Sequence, residues 1–274
     1  MTNTIFTKKK YKRTVHFIHR DCKENTGDNV CNAGNYYNFP GYNKITHDIY
    51  TPDFNQIKKD DIVIYSGGGL LNCIESWNVN INKSFELCDN VYGWGIGFNA
   101  HHSDHGEKVK TSINLSKFKH LGLRDYFEKY FHENMSYLPC SSCNLPQLQE
   151  VYEIKRTAGV VSHLGMPITY PSAFINLFNI EKITNQANIN KFIKFIGESE
   201  SIITNTYHCL YFSMLLNKTS ILDFSFSQKF NNLKYDYIKS GEDIRTIDYT
   251  NYLQESIDLN NKFYNKLLKM ENKL

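Results

Sequence analysis

Short apolar runs, each closing on glycine or polar side chains, punctuate this chain at wide intervals. Thr14-Val15-His16-Phe17-Ile18 reads as a buried strand, and the polar Asn25-Thr26-Gly27-Asp28 after it reads as a turn. Asp61-Ile62-Val63-Ile64-Tyr65 runs straight into Ser66-Gly67-Gly68-Gly69, and the glycine-punctuated Asn90 to Gly97 forms a third strand. Leu121-Gly122-Leu123-Arg124-Asp125 repeats the pattern of an apolar strand ending in charge. Short strands separated by long connections predict a mainly parallel sheet with helical crossovers. In such sheets ligands sit beyond the carboxyl ends of the strands, where these Gly, Arg and Asp residues fall.

From about Pro146 the pattern restarts. Ala158 to His163 predicts a strand ending in a histidine, followed by a turn at Gly165-Met166-Pro167. Ile189, Phe192, Ile193 and Ile196 fall at helical spacing and predict an amphipathic helix ending near Gly197. Ser201 to His208 reads as a strand entering a helix, and Ser220-Ile221-Leu222-Asp223-Phe224 as the next strand. A last helix is predicted over 249–270, with Leu253, Ile257 and Leu267 on one face. The expected fold is therefore α/β: two domains, 1–150 and 151–274, with the last helix a candidate to pack back on the first.

Composition narrows the function. With 274 residues, 41% of them hydrophobic, there is enough chain for two cores. The formal net charge is +3, with basic and acidic residues spread along the whole length, so no nucleic-acid partner is expected. The exception is Lys8-Lys9-Lys10-Tyr11-Lys12-Arg13, either a solvated arm or a contact for anionic lipid or glycan. No stretch reaches the roughly 18 apolar residues of a membrane span, and no signal-peptide core is present, so a cytoplasmic location is expected, with peripheral contact at the inner membrane face left open.

Seven cysteines, an odd number, are expected to remain thiols. Only Cys140-Ser-Ser-Cys143 has a suggestive spacing, and no second such pair exists. His101, His102, Asp104 and His105 crowd together, but neighbours on a loop rarely converge on one ion. Neither a metal nor an organic cofactor is expected. Gly67, Gly68 and Gly69 allow backbone to approach a ligand or simply make a tight turn; lacking both a following Lys-Ser/Thr and GxGxxG spacing, they disfavour an NTPase or a dinucleotide dehydrogenase. Asn25, Gly27, Asp28 and Asn99 are candidates for sugar contact in the first domain, and ordinary turn chemistry is the competing reading.

Ile203-Thr204-Asn205-Thr206-Tyr207-His208-Cys209, followed by Leu215 to Ile221 and Phe226-Ser227-Gln228-Lys229-Phe230, resembles the polysaccharide pyruvyl transferase family. The Asn25 to Asp28, Ser66 to Leu70, Gly93 to Gly97 and Leu123 to Asp125 segments occur in the order that family shows. Two departures stand out, Cys209 at a usual glycine and Gln228 at a usual serine. The resemblance implies two Rossmann-like domains facing across a cleft, of the GT-B kind, and transfer of a pyruvyl group from phosphoenolpyruvate to a sugar as a ketal. The acceptor would be a glycan or lipid-linked sugar of a capsule, exopolysaccharide or lipopolysaccharide. It also implies roles: His208, with His163 second, in proton transfer, and Asn205, Tyr207, Ser227, Lys229 and Arg124 at the donor. Histidine suits the task because its pKa of about 6.5 lets it give or take a proton near neutrality. For each of these residues a packing or salt-bridge role is the alternative. Two other functions compete: a GT-B glycosyltransferase using a nucleotide-sugar, and a non-catalytic glycan-binding protein.

Overall fold

The computed structural model describes residues 13–100, 111–127, 133–169 and 180–271. Most of the basic run at 8–13 and the histidine cluster at 101–105 lie outside the described residues. The apolar runs form two sheets. The first contains β1 (Arg13–His19), β2 (Tyr42–Asp48), β3 (Ile62–Ser66), β4 (Val91–Ile96), β5 (His120–Leu123) and β6 (Met135–Tyr137). The second contains β7 (Arg156–Ser162), β8 (Glu181–Thr184), β9 (Ser199–Thr204), β10 (Thr219–Leu222) and β11 (Ile238–Lys239). Every strand pair in both sheets is parallel. Strands β3 and β4 are buried at every position, as both-faced burial in an α/β sheet requires.

The strand orders repeat. The first sheet runs β2-β1-β3-β4-β5-β6 and the second β8-β7-β9-β10-β11. Counted from its own first strand, each begins 2-1-3-4-5, so the direction of winding reverses between β1 and β3 in one and between β7 and β9 in the other. A crevice opens at such a reversal, beyond the carboxyl ends of the two strands.

Five helices complete the described residues: the short α1 (Thr26–Asn29), then α2 (Glu75–Leu87), α3 (Ile189–Gly197), α4 (Tyr207–Leu215) and α5 (Tyr252–Glu271). Helix α3 turns Phe192, Ile193 and Ile196 inward and is capped by Asn188, whose side chain accepts from the Asn190 N–H. Helix α4 is buried along its whole length, with Thr206 Oγ1 accepting from the Cys209 N–H at its start. Cys209 packs fully inside, away from the crevice. Helix α5 crosses back to the first sheet, where Phe263 and Leu267 pack with Val15, Phe17, Ile62, Ile64 and Trp94. No helix among the described residues is long and apolar enough to cross a membrane.

Candidate active site

The loops following the two reversal points face each other around a cavity of about 380 Å³. From the first sheet come Arg20, Asn25, Gly27 and Asp28 after β1, Gly69, Cys73 and Trp77 after β3, Asn99 after β4 and Arg124 after β5. From the second come His163 and Met166 after β7, Asn185 after β8, Thr206, Tyr207 and His208 after β9, and Phe226 and Lys229 after β10. Backbone hydrogen bonds fasten the two halves around this space: Thr26 N–H to Asn185 O (2.9 Å), Gln228 N–H to Ala100 O (3.0 Å) and Tyr126 N–H to Asn232 O (2.7 Å).

Arg124 is 3% exposed, and its guanidinium carbon stands 3.6 Å from the centre of the Tyr207 ring. Room for it comes from Gly97, where a Cβ would lie 2.5 Å from Nε. Its Nε has no hydrogen-bond partner, and among the described residues it forms no ion pair. Asp125, its neighbour, accepts instead from the Phe98 N–H, and burial raises its carboxyl to about 7 against the pull of Arg124. Lys229 lies over the Phe226 ring, 4.3 Å from its centre. Burial first, and then the nearby Arg124 charge, lower its pKa to about 8, with Asp28 opposing. Two cations without an ion pair thus share one cavity with the paired Arg20, and Asp28 is the only carboxylate among the described residues of its wall. The Asn25 amide holds Asp28 by donating to Oδ2 at 2.8 Å.

His163 accepts from the Gly165 N–H at Nδ1 (3.2 Å), which puts a neutral ring's proton on Nε2. Asn205 is fully buried: its Oδ1 accepts from the His163 N–H (2.8 Å) and its Nδ2 donates to Met166 O (2.6 Å). It shapes the loop that carries His163 and does not line the cavity. Ser227 is buried and off the wall too, its hydroxyl unpartnered.

His208 is on the wall, 8% exposed, yet its ring is committed elsewhere. Nε2 stands 3.5 Å from Cys31 Sγ and 3.8 Å from Cys140 Sγ. Nδ1 lies against Gly27, where a Cβ would come within 2.2 Å. Gly27 therefore makes space for the imidazole while it also lines the cavity. Gly67 and Gly68 also differ from expectation. They are absent from the wall, and Gly67, at φ +60°, turns the chain so tightly over Cys31 that a Cβ would fall 2.3 Å from the cysteine Cβ. Gly69 alone of the three reaches the cavity.

The Cys140/Cys143 spacing does not make a pair. Cys140 joins Cys31 and His208, with all three potential donor atoms within 4.8 Å of one another, while Cys143 accepts from the Asn260 amide. Burial raises both thiols of the cluster, but at Cys140 the hydrogen bonds from Cys31 and His208 outweigh it, and its pKa falls well below the usual range. Arg20, Cys73, Trp77 and Asn185 are wall residues that the sequence reading missed. Arg20, directly after β1 and paired with Asp48 at 2.7 Å, was detectable by the strand-end rule that picked out Arg124.

The family model for polysaccharide pyruvyl transferase matches residues 11–222. No protein of curated function matches the chain. A solved structure similar to it is that of an uncharacterised protein from Klebsiella pneumoniae subsp. pneumoniae NTUH-K2044, 15% identical, with a TM-score of 0.49, covering 77% of this chain and 82% of that one.

Proposed function

Since the chain belongs to the polysaccharide pyruvyl transferase family, we propose that its cavity binds phosphoenolpyruvate and passes the pyruvyl group to two hydroxyls of a sugar as a ketal. Family membership makes it a pyruvyl transferase of polysaccharide biosynthesis with a sugar or polysaccharide acceptor; the donor, the ketal and the residue roles are our reading. The observation that carries it is the buried Arg124 beside the half-buried Lys229, two cations without an ion-pair partner among the described residues. Burying an uncompensated charge is costly, so a site that keeps two of them suits a small ligand with several negative charges. Phosphoenolpyruvate carries a carboxylate and a phosphate on the same carbon. A guanidinium grips either through two parallel hydrogen bonds, and an ammonium serves as a point charge for the other.

The reaction removes two hydroxyl protons, one of them balanced by the proton delivered to the methylene carbon and the other leaving with the phosphate. A proton goes to the methylene carbon as the first sugar hydroxyl attacks the adjacent carbon, and the second hydroxyl displaces phosphate from that carbon to close the ketal. Asp28, held by the Asn25 amide, is the base for an acceptor hydroxyl, and His163 as an imidazolium is the acid for the methylene, the neutral ring that accepts the Gly165 N–H at Nδ1 being the form left once the proton is given. His208 acts here as a positioning group, because its Nε2 faces sulfur. Arg124 and Lys229 neutralise the charge that accumulates on departing phosphate.

Thermal unfolding with added ligand tests this. Phosphoenolpyruvate at 100 times its dissociation constant should stabilise the protein by about 2.7 kcal/mol, and Arg124→Gln should abolish the shift. Stabilisation by nucleotide-sugars with none by phosphoenolpyruvate would instead favour a glycosyltransferase.

A further inference from the structure

The geometry points to a zinc site formed by Cys31 Sγ, Cys140 Sγ and His208 Nε2. This inference stands apart from the donor proposed above, since it rests on the far side of the His208 ring. In a tetrahedral zinc centre with Zn–S near 2.3 Å and Zn–N near 2.05 Å, a sulfur and a nitrogen ligand are separated by about 3.6 Å, and two sulfurs by about 3.8 Å. The two sulfur-to-nitrogen separations are 3.5 and 3.8 Å, and the three atoms all lie within 4.8 Å. Both sulfur-to-nitrogen separations match edges of such a tetrahedron, and the two sulfurs lie within 4.8 Å of each other.

The surroundings are those of a constructed site. Cys31 and Cys140 are 2% and 0% exposed, so an ion there would be shielded from water. Ser142 Oγ donates to Cys140 Sγ at 3.2 Å, the kind of outer hydrogen bond that holds a thiolate ligand in place. The Cys31 carbonyl accepts from both Ser66 Oγ (3.2 Å) and Ser141 Oγ (2.8 Å), so its segment is tied to the loop after β3 and to the Cys140 segment. Gly67 and Gly27 clear the space that Cys31 and the imidazole occupy. Four stretches of the chain, the Asn25 to Asp28 turn with Cys31, the glycine loop, the Cys140 segment and the Asn205 to Cys209 run, thus converge on one set of soft donors.

Two thiolates and one neutral imidazole suit zinc by ligand type and neutralise its charge. Three protein ligands leave one coordination position for water or a substrate oxygen. With His208 on the cavity wall, the ion would sit just behind the space where the acceptor or donor binds.

Zinc content decides the matter. Protein purified under reducing conditions and dialysed against metal-free buffer should retain about one zinc per chain by mass spectrometry of the metal. Cobalt(II) in its place should give thiolate-to-metal charge-transfer absorption. Cys31→Ser and Cys140→Ser, each checked for native circular dichroism, should lose the metal, whereas Cys143→Ser should keep it. Ser142→Ala, which leaves all three ligands intact, should weaken zinc affinity about tenfold. Should a cysteine variant fail to fold, the cobalt spectrum of the unaltered protein and the Ser142→Ala affinity remain decisive. Metal-free reduced protein that gives no cobalt–thiolate band overturns the proposal. So does a Cys31–Cys140 disulfide in place of metal, or metal loss in Cys143→Ser with retention in Cys31→Ser.

Discussion

Lys229 holds a charge that its surroundings resist, and the sign of that conflict differs for stability and for binding. Its pKa falls from 10.5 to about 8, through burial first and Arg124 second. Between these values the unfolded chain binds a proton that the folded one has released, so the ligand-free protein gains stability from this group as pH rises from about 8 to 10.5. Anion binding runs the other way, since it requires the ammonium. Titration calorimetry should find phosphoenolpyruvate affinity falling as pH passes about 8, and Lys229→Arg, which stays charged, should remove that break. A wild-type affinity that is flat from about pH 7 to about pH 9.5 would rule Lys229 out as the titrating group. Gly27 makes a second residue-scale test. An alanine methyl there would fall 2.2 Å from His208 Nδ1 and 2.7 Å from its Cβ, so the imidazole must move. Gly27→Ala should cost about 1 to 3 kcal/mol in denaturant unfolding and lower turnover as well.

At the scale of elements, one carboxylate near the end of α5 gathers three side chains of the first half. Glu271 is 2% exposed and meets Arg13 at 2.7 Å, Lys119 at 3.0 Å and the Tyr92 hydroxyl. Burial alone would raise its carboxyl, but hydrogen bonds from Tyr92, Lys119 and Arg13 outweigh this and lower it below 4.5. Its contribution is therefore complete above that value and lost as pH falls through the lowered one. Glu271→Gln should cost about 1.5 to 3 kcal/mol near neutrality and make acid unfolding less steep. Elements held by such polar contacts were the least legible in the sequence. Strands β3, β4 and β5 stood out because they are buried throughout and mostly apolar, and β1 because Val15, Phe17 and Ile18 cluster within it. Strand β2 reads Tyr-Asn-Lys-Ile-Thr-His-Asp and β8 Glu-Lys-Ile-Thr; both are half-exposed sheet edges with no apolar run to reveal them. Helix α2 hid its packing face of Trp77 and Ile81 among asparagines. In the site, Arg124 and His163 were readable because each directly follows a strand, Asp28 because it closes the polar turn after β1, and Lys229 because it lies in a motif of the family. The sulfur cluster was not: His208 is 177 residues from Cys31 and 68 from Cys140, and only the meeting of both sheets brings them together.

The whole molecule is closed by a helix that starts in the core of the second half, through Tyr252, Leu253 and Ile257, and ends in the core of the first. The face of the first sheet carrying Val15, Phe17, Ile62, Ile64 and Trp94 is covered by α5, whose Phe263 and Leu267 are 5% and 1% exposed. Trp94 also donates its indole N–H to Asn260 of that helix at 2.7 Å. Burying two such side chains is worth about 1.5 to 3 kcal/mol each, against a net stability of about 5 to 15 kcal/mol for a typical protein. The first sheet therefore depends on residues that are synthesised after the entire second sheet. A chain ending at residue 250 should expose this face, bind a hydrophobic dye and aggregate on warming, even though both sheets are present in full. A peptide of residues 251–274 supplied in trans should restore a cooperative melt, since the contacts that it makes with the sheet need no covalent link to the second half. A cooperative, dye-negative 1–250 chain would mean that α5 is a dispensable cover, and that the hydrogen bonds around the cavity hold the two halves together by themselves.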